Sequence, residues 1–286
     1  MLKVLSPEQT QRYETEGYLV LPAFLTGTWV DRLEAAMNRF IEQSRSLTVS
    51  SPSILIEPGH TPEQPRLRRI PQTGAFDPDF AEFGLQGPLV DIAQDLLGPH
   101  LRLHHSKLNF KWADGGEEVN WHQDIQFWPH SNYALATFGV YLRDVDAAMG
   151  PMGVYAGSQA APLFSLRDEA GVWTGSLSDA EVASLDPATV GWCEGPRGTV
   201  TVHNCRAVHG SPPNRSSRMR PLLLHTFAAG DAQPLTNLMD GIPFSNVMVR
   251  GEEQPERTDP EPCPMPPDFR ATGYTSIFSS QGKGAR

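Results

Sequence analysis

The chain has 286 residues, of which 39% are hydrophobic and 9% aromatic, and its formal net charge is −10. The apolar content is sufficient for a packed core, which excludes wholesale disorder. The acidic balance argues against a nucleic-acid partner, because a chain of this charge would repel a phosphate backbone. No apolar run reaches membrane-spanning length, so no membrane partner is expected either.

The start of the chain and its cysteines indicate the cellular compartment of the protein. Residues 1–20 lack an apolar signal core followed by a small-residue cleavage site. The three cysteines are odd in number and form no CxxC pair, which argues against a disulfide scaffold or a zinc ribbon. Together these features favour a reducing, cytoplasmic location.

The first hundred residues favour helices over strands. Ser6 and Gln9 form a capping box with Pro7 at the first helical position, which is typical of a helix start. Within residues 28–45 the apolar residues recur at helical spacing. The predicted elements are, in chain order, a helix between Ser6 and Gly17, a strand over 17–22, and helices over 28–45 and 88–97.

Residues 46–75 have no clear period and predict a long loop. This loop carries a small basic cluster of Arg66, Arg68 and Arg69. We interpret the cluster as a solvated charged face, with contact to an anionic ligand as the alternative.

From Leu101 onward the pattern changes to short β-rich runs separated by Gly, Pro and Asn turns. Residues 157–188 form a less regular insertion with one short helix capped by Ser178 and Glu181. Residues 251–267 are acidic and rich in proline, and they predict an extended segment. The predicted strands are 101–112, 134–143, 189–194, 199–203 and 222–227.

This order of elements predicts an α+β fold whose sheets close on each other as a sandwich or jelly roll. We expect one domain over residues 1–286. It would consist of a helix-rich part over 1–100, a jelly-roll core over 101–230 and an extended C-terminal segment over 251–286.

The segment Trp121-His122-Gln123-Asp124 contains the first candidate metal ligands. Residues i and i+2 of a strand point to the same face, so the imidazole of His122 and the carboxylate of Asp124 can reach one ion. Taken alone the pair is a weak signal, since His122 also fits a core histidine and Asp124 a turn residue. Its meaning therefore depends on the rest of the chain.

A second segment, residues 202–214, supplies that context. A strand carrying His209 runs into a turn rich in Gly, Pro and Asn, and the next strand begins near Arg220. We expect the two strands to form a hairpin in which Arg220 lies opposite His209. The turn itself would then bring a second imidazole and a guanidinium together.

Two histidines and one carboxylate are the facial triad of a non-haem Fe(II) oxygenase. Such an ion keeps three open positions, of which a 2-oxo acid can occupy two and dioxygen the third. The distal carboxylate of 2-oxoglutarate then needs a fixed partner. Arg220 suits it because a guanidinium provides two parallel donors, and Ser211 can add a hydroxyl donor.

The other histidines are predicted to have structural roles or none. His203 lies six residues before His209, and we expect it to pack or to form a hydrogen bond. His225 lies in an apolar strand and is interpreted as structural. No role is assigned to the loop histidines, which are His60, His100 and His130.

At these residues the sequence resembles the phytanoyl-CoA dioxygenase family of Fe(II)- and 2-oxoglutarate-dependent oxygenases. The resemblance includes the opening helix with the strand after it, the WHQD segment, a glycine-rich stretch, and the HGSPPN…R segment. Arg220 follows His209 by eleven residues, a spacing similar to the family's. Residues 104–111 and 122–128 look close to the ectoine hydroxylase branch.

The resemblance implies a double-stranded β-helix core, of jelly-roll or cupin-like type, with the N-terminal helices packed on one sheet. It implies that His122, Asp124 and His209 bind the metal. It also implies that Asn109 hydrogen-bonds 2-oxoglutarate and that Ser211 and Arg220 hold its distal end. By the same similarity, Trp128 walls the pocket.

One segment departs from the family pattern. Where family members often have proline and histidine after the strand that follows the metal motif, this chain has Ala156 and Gln159. That segment usually lines or supports the substrate side, so the departure concerns the substrate and not the iron. The substrate residues of ectoine hydroxylases do not carry over as a set.

The sequence therefore predicts an enzyme that uses Fe(II), 2-oxoglutarate and O₂ to hydroxylate an unactivated C–H of a small organic metabolite, releasing succinate and CO₂. Alternative substrates are an acyl-CoA thioester or a natural-product intermediate. Desaturation, epoxidation and ring rearrangement are alternative outcomes. The rival classes are a non-catalytic jelly-roll module that keeps a metal and a Zn(II) hydrolase with the same ligands.

The substrate pocket is predicted to have walls from several residues around the metal motif, with a lid from residues 157–188. Lys107 or the basic cluster could hold an anionic group of the substrate. The sequence leaves the oligomeric state open. The predicted substrate-side residues are Lys107, His105, Gln126 and Phe127.

Overall fold

The computed structural model of the chain describes residues 2–113, 116–237 and 239–269, together with Ile277 and Gln281. The α-helices in these residues are α1 (Pro7–Glu16), α2 (Gly27–Ser44), α3 (Pro78–Gln86), α4 (Leu89–Leu97) and α5 (Asp179–Ala183). The strands of the first half are β1 (Tyr18–Leu21), β2 (Leu55–Ile56), β3 (Leu67–Pro71), β4 (Leu101–Lys111), β5 (Val119–His122) and β6 (Leu135–Tyr141). The remaining strands are β7 (Met152–Tyr155), β8 (Val190–Cys193), β9 (Val200–Asn204), β10 (His209–Ser211), β11 (Arg220–Ala229) and β12 (Val247–Arg250).

The helix starts follow from local sequence chemistry. The Ser6 hydroxyl accepts a hydrogen bond from the backbone of Gln9, whose side chain accepts one from the backbone of Ser6, and Gly17 ends α1 with φ of 80°. The predicted helices α1, α2 and α4 are confirmed, and so is the capping box of α5. Helix α3 was not predicted, although Asp77 caps its start and Pro78 occupies its first turn.

Two antiparallel sheets form the core. The larger sheet has the order β1-β9-β6-β11-β4-β3-β2, with β12 also paired to β4, and the smaller sheet has the order β5-β10-β7-β8. Strand β11 is buried along its whole length. Leu223 and Phe227 belong to the core cluster that includes α2, α3 and α4, whereas Leu222 and Leu224 line a cavity. This arrangement confirms the predicted jelly-roll core with the N-terminal helices packed on one sheet.

The sequence predicted a long loop over residues 46–75, but this stretch contains two strands. Strand β2 pairs with β3, and β3 pairs with β4, so that Arg69 lies opposite Asn109. The two strands are short, and alternation of apolar and polar residues is too brief in them to be recognised. The interpretation of the basic cluster as a solvated face is wrong for Arg68 and Arg69, because both line the cavity.

The predicted hairpin of the His209 and Arg220 strands is also wrong. Strand β10 pairs with β5 and β7 in the smaller sheet, whereas β11 pairs with β4 and β6 in the larger one. The turn after His209 is therefore a crossover between sheets, which turn residues alone do not distinguish from a hairpin. Both residues nevertheless line the same cavity.

The C-terminal part of the described chain agrees with the sequence in part. Residues 251–268 contain no helix or strand, as predicted, but β12 before them was missed. Most of the predicted extended segment after residue 269 lies outside the described residues. No helix in the described ranges is both long and apolar enough to cross a membrane.

Two paired glycines give the smaller sheet its shape next to the metal motif. Gly210 of β10 lies opposite Gly153 of β7, and the indole of Trp121 lies across both. A Cβ on Gly210 would approach the carbonyl oxygen of Val119 to 2.9 Å and the indole to 3.1 Å. Glycine at this position therefore lets β10 approach β5 closely.

We predict that Gly210→Ala lowers the free energy of unfolding by about 1–3 kcal/mol, since the added methyl group meets rigid backbone. Urea denaturation measures the change. The control is Gly27→Ala at the start of α2, where the nearest atom would be 3.7 Å away, and its effect should stay within about 0.5 kcal/mol. Equal stability of the two variants would contradict this account of β10.

Candidate metal centre and co-substrate pocket

The two sheets enclose a cavity of about 360 Å³. Its lining is mixed, with titratable side chains at several points and apolar walls between them. From the larger sheet the lining includes Arg69, Lys107, Asn109, Thr137, Arg220 and Leu224. From the smaller sheet it includes Val119, His122, Met152, His209, Gly210 and Ser211.

Three side chains that could ligate a metal converge at one point of this cavity. His122 ends β5 and lies directly opposite His209, the first residue of β10. Donor atoms of His122, Asp124 and His209 all lie within 4.8 Å of one another. Oδ1 of Asp124 is 3.7 Å from Nε2 of His122 and 3.9 Å from Nε2 of His209.

Asp124 reaches this point by a different route from the one predicted. The strand ends at His122, and Asp124 begins a single 3₁₀ turn that ends at Gln126. The carboxylate therefore meets the imidazoles because the chain turns after β5, and not because residues 122 and 124 alternate along a strand.

Backbone carbonyls fix the tautomer of both histidines. Nδ1 of His122 lies 2.8 Å from the carbonyl oxygen of Asn120, and Nδ1 of His209 lies 3.0 Å from that of Ala207. A carbonyl only accepts, so each Nδ1 carries the proton and each Nε2 has a free lone pair. Burial, together with the neighbouring His122 and His203, lowers the pKa of His209 well below its usual value, which keeps it neutral.

The larger sheet orients the carboxylate. Thr137 donates a hydrogen bond of 3.1 Å to Oδ2 of Asp124, and Nε2 of His203 lies 3.3 Å from the same oxygen. Oδ1 is thereby left facing the ligand imidazoles. Burial alone would raise the pKa of Asp124, but His209, His122 and His203 outweigh it and hold that pKa well below its usual range.

This donor set fits a divalent transition metal. It offers one imidazole nitrogen from each histidine and one carboxylate oxygen, and each of the three side chains is held by a second hydrogen bond. His203 was expected to pack or to form a hydrogen bond, and its contact with Asp124 agrees with that expectation. Thr137 was missed, because only the pairing of β6 with β9, which sets Thr137 opposite His203, puts it beside the carboxylate.

Arg220 is a buried cation, and two of its three donor nitrogens have no partner. Its side-chain atoms Nε and Nη1 are buried without a hydrogen-bond partner, and no carboxylate of the described residues forms an ion pair with it. Burial lowers the pKa of Arg220 to about 10, which Tyr141 partly opposes. Burying a guanidinium without partners for these nitrogens costs free energy, and an anionic ligand that accepts from them would offset that cost.

Lys111 was not singled out from the sequence, yet it determines what Ser211 can do. Its ammonium donates to Oγ of Ser211 at 2.7 Å, to the carbonyl of Ser211 at 3.1 Å and to the carbonyl of Pro212. Since Oγ accepts from Lys111, the hydroxyl proton of Ser211 remains available to another acceptor. Lys111 also lies opposite Arg220 in the register of β4 and β11.

The predicted pocket residues of β4 and the metal motif lie around the cavity as expected, with one exception. His105, Lys107, Asn109, Phe127 and Trp128 all line it. Gln126 does not. Its amide nitrogen donates to the carbonyl of Phe164 at 2.9 Å and to Gln123 at 3.3 Å, because the 3₁₀ turn directs it away from the cavity.

The predicted lid is also corrected. None of residues 157–188 lines the cavity, since Trp173 packs behind Phe127 with ring centroids 5.4 Å apart. In the part of the chain that the structure describes, the corresponding wall comes from later residues. These are Met239, Ile242, Phe269 and Ile277.

Histidines without an assigned role have structural contacts. His130 packs against His104 and Trp128, with ring centroids 4.7 and 6.0 Å apart, and so supports one wall of the cavity. His225 packs against Phe83 in the core, as expected for a structural residue. His60 and His100 form hydrogen bonds with backbone groups.

Comparison with known proteins identifies the family. The family model described as phytanoyl-CoA dioxygenase (PhyH) matches residues 13–222. The chain belongs to the phytanoyl-CoA dioxygenase family. A probable alpha-ketoglutarate-dependent hypophosphite dioxygenase of Stutzerimonas stutzeri is 30% identical over 246 residues, which cover 85% of this chain and 86% of the relative.

Further similarities agree with this family. An L-proline trans-4-hydroxylase of Streptomyces griseoviridis is 28% identical, over 76% of this chain and 84% of the relative. The crystal structure of EctD from S. alaskensis with bound Fe has a TM-score of 0.69 at 23% identity, and covers 89% of this chain and 87% of that one. The chain is an Fe(II)- and 2-oxoglutarate-dependent dioxygenase.

We predict that Thr137→Val weakens Fe(II) binding about tenfold, because Asp124 loses a donor that orients it. Anaerobic titration with Fe(II) measures the dissociation constant. The matched control is Thr201→Val, an equally conservative change at a buried threonine whose hydroxyl has no hydrogen-bond partner. Indistinguishable iron affinity of the two variants would show that Thr137 does not position the carboxylate.

Proposed function

We propose that His122, Asp124 and His209 bind Fe(II), and that Arg220, Ser211 and Asn109 bind 2-oxoglutarate. The observation that carries the proposal is the convergence of the three donor groups in a cavity that also contains the buried Arg220. Trp128 then walls the pocket. The reaction is hydroxylation of an unactivated C–H of a small organic metabolite, with release of succinate and CO₂.

The protein's own groups act by positioning. Nε2 of His122, Nε2 of His209 and Oδ1 of Asp124 would hold the metal, and a set of three protein ligands would leave it able to bind the co-substrate and dioxygen. Arg220 holds the distal carboxylate through two donors, and Ser211 donates its hydroxyl proton to the same group. Bound Fe(II) would activate dioxygen, the oxidant, of which one atom ends in succinate as 2-oxoglutarate loses CO₂ and the other ends in the hydroxylated substrate.

The rival functions have less support. A structural metal module or a zinc hydrolase would also use the three ligands. Neither function, however, requires the buried guanidinium of Arg220, which has no anionic partner among the described residues. A cavity of about 360 Å³ also lies at the lower end of the range for small-molecule sites. It suits 2-oxoglutarate with one small metabolite better than the full length of an acyl-CoA thioester.

We predict that Arg220→Met raises the dissociation constant of 2-oxoglutarate by roughly 10- to 100-fold. Charge-assisted hydrogen bonds contribute about 1.5–3 kcal/mol, and the variant lacks those of the distal carboxylate. The Fe(II) affinity should change by less than about threefold, because Arg220 is not a ligand. Calorimetric titration of metal and co-substrate separately measures both constants.

Arg218→Met is the control for this variant. Arg218 lies two residues earlier and forms an exposed ion pair with Asp146. Its removal should leave the affinity for 2-oxoglutarate unchanged. If Arg220→Met weakens iron and 2-oxoglutarate equally, the assignment of Arg220 to the distal carboxylate is wrong.

We predict that Asp124→Ala abolishes iron-dependent formation of succinate from 2-oxoglutarate, because two imidazoles alone lack the anionic ligand that Fe(II) needs here. Succinate release under air, with and without added Fe(II), measures this. Asp31→Ala, at an exposed carboxylate that pairs with Arg197, should retain full turnover. Succinate formation by the Asp124 variant would refute the metal assignment.

A further inference from the structure

We infer that the substrate carries an oxyanion group, a carboxylate, phosphonate or phosphinate, and that Lys107 of β4 binds it on the flank of the cavity formed by β3 and β4. This inference rests on the proposed function, since it requires Arg220 to be occupied by the co-substrate. It goes further by assigning a second anion subsite and a substrate class.

The first support is the position of Lys107. On β4 it lies between His105 and Asn109, and all three face the cavity. Its partners on the neighbouring strands are Leu224 and Pro71, whose side chains offer no hydrogen-bond acceptor. Neither directly opposite residue can pair with the ammonium, which faces the cavity.

The second support is the lack of a bonded partner. No acceptor among the residues the structure describes forms a hydrogen bond or ion pair with Nζ of Lys107. Burial lowers the pKa of Lys107 to about 8, with Asp124 opposing this change and Arg69 adding to it. At neutral pH the group is thus a cation in a poorly solvated site, which an incoming anion would stabilise.

Asp124 does not serve as that anion. Its Oδ2 accepts from Thr137 and faces His203, and its Oδ1 faces the two ligand imidazoles. Once a divalent metal binds there, the charge of the carboxylate is offset by the metal. Lys107 then remains as a cation on this flank of the cavity.

The distal carboxylate of the co-substrate is not that anion either. Arg220 lies opposite Lys111, four residues along β4 from Lys107. At about 3.3 Å per residue this is roughly 13 Å of strand, and this backbone separation supports assigning the two cations to different groups. The walls between them include Leu222 and Leu224, which suits an apolar reacting carbon next to an anionic head.

The test uses the full chain loaded with Mn(II) and saturating 2-oxoglutarate, in a buffer free of phosphate. Methylphosphonate, hypophosphite and butyrate are titrated by calorimetry, with the neutral ester dimethyl methylphosphonate as the uncharged probe. At least one anion should bind the wild type, and the ester should not. Lys107→Met should weaken that anion at least about tenfold, and Lys107→Arg much less, because it keeps the charge.

The co-substrate affinity separates the possible failures. In Lys107→Met the dissociation constant of 2-oxoglutarate should stay within about threefold of the wild type, and thermal unfolding should confirm that the variant is folded. If 2-oxoglutarate weakens instead, Lys107 belongs to the co-substrate site and the inference is overturned. It is also overturned if no anion binds, or if anions bind wild type and Lys107→Met alike. Failure of the proposed function is distinct, since it appears as unchanged 2-oxoglutarate affinity in Arg220→Met.

Discussion

A carboxylate buried among three imidazoles is the interaction on which the rest of this structure depends. Asp124 contacts the smaller sheet through His122 and His209, and the larger sheet through Thr137 and His203. Burying such a charge is costly unless it is paired and hydrogen-bonded. The imidazoles and the threonine meet that need in part and the proposed metal would complete it, so Asp124 also links the two sheets of the jelly roll.

The remaining charges of the cavity are arranged around this centre. Lys111 fixes Ser211 at one end, opposite the buried Arg220, and Lys107 on the same strand interacts electrostatically with Asp124. Lys107 and Asn109 of β4 line the cavity, and Lys111 of the same strand holds Ser211, because alternate residues of a strand share a face. An enzyme that binds a dicarboxylate and a second anion needs separate cations for them, and β4 and β11 provide this separation.

The sequence predicted that His122, Asp124 and His209 come together, because they lie in two short segments with recognisable spacing. It also predicted the jelly roll, since its strands are bounded by strong turn signals. What it could not predict is which strands pair. Periodicity shows which face a residue occupies, but the neighbour of β10 or β11 is set by long-range packing. For that reason the hairpin of His209 and Arg220 was wrong, and the contribution of Thr137 was missed.

The central claim is that three side chains hold one ferrous ion and leave adjacent positions for 2-oxoglutarate. An anaerobic titration tests it most directly: the protein is loaded with one equivalent of Fe(II), 2-oxoglutarate is added, and the visible absorption is recorded. The account predicts a weak charge-transfer band that saturates at one equivalent of 2-oxoglutarate and is absent with succinate. A complex that binds both and stays colourless would contradict chelation at this site.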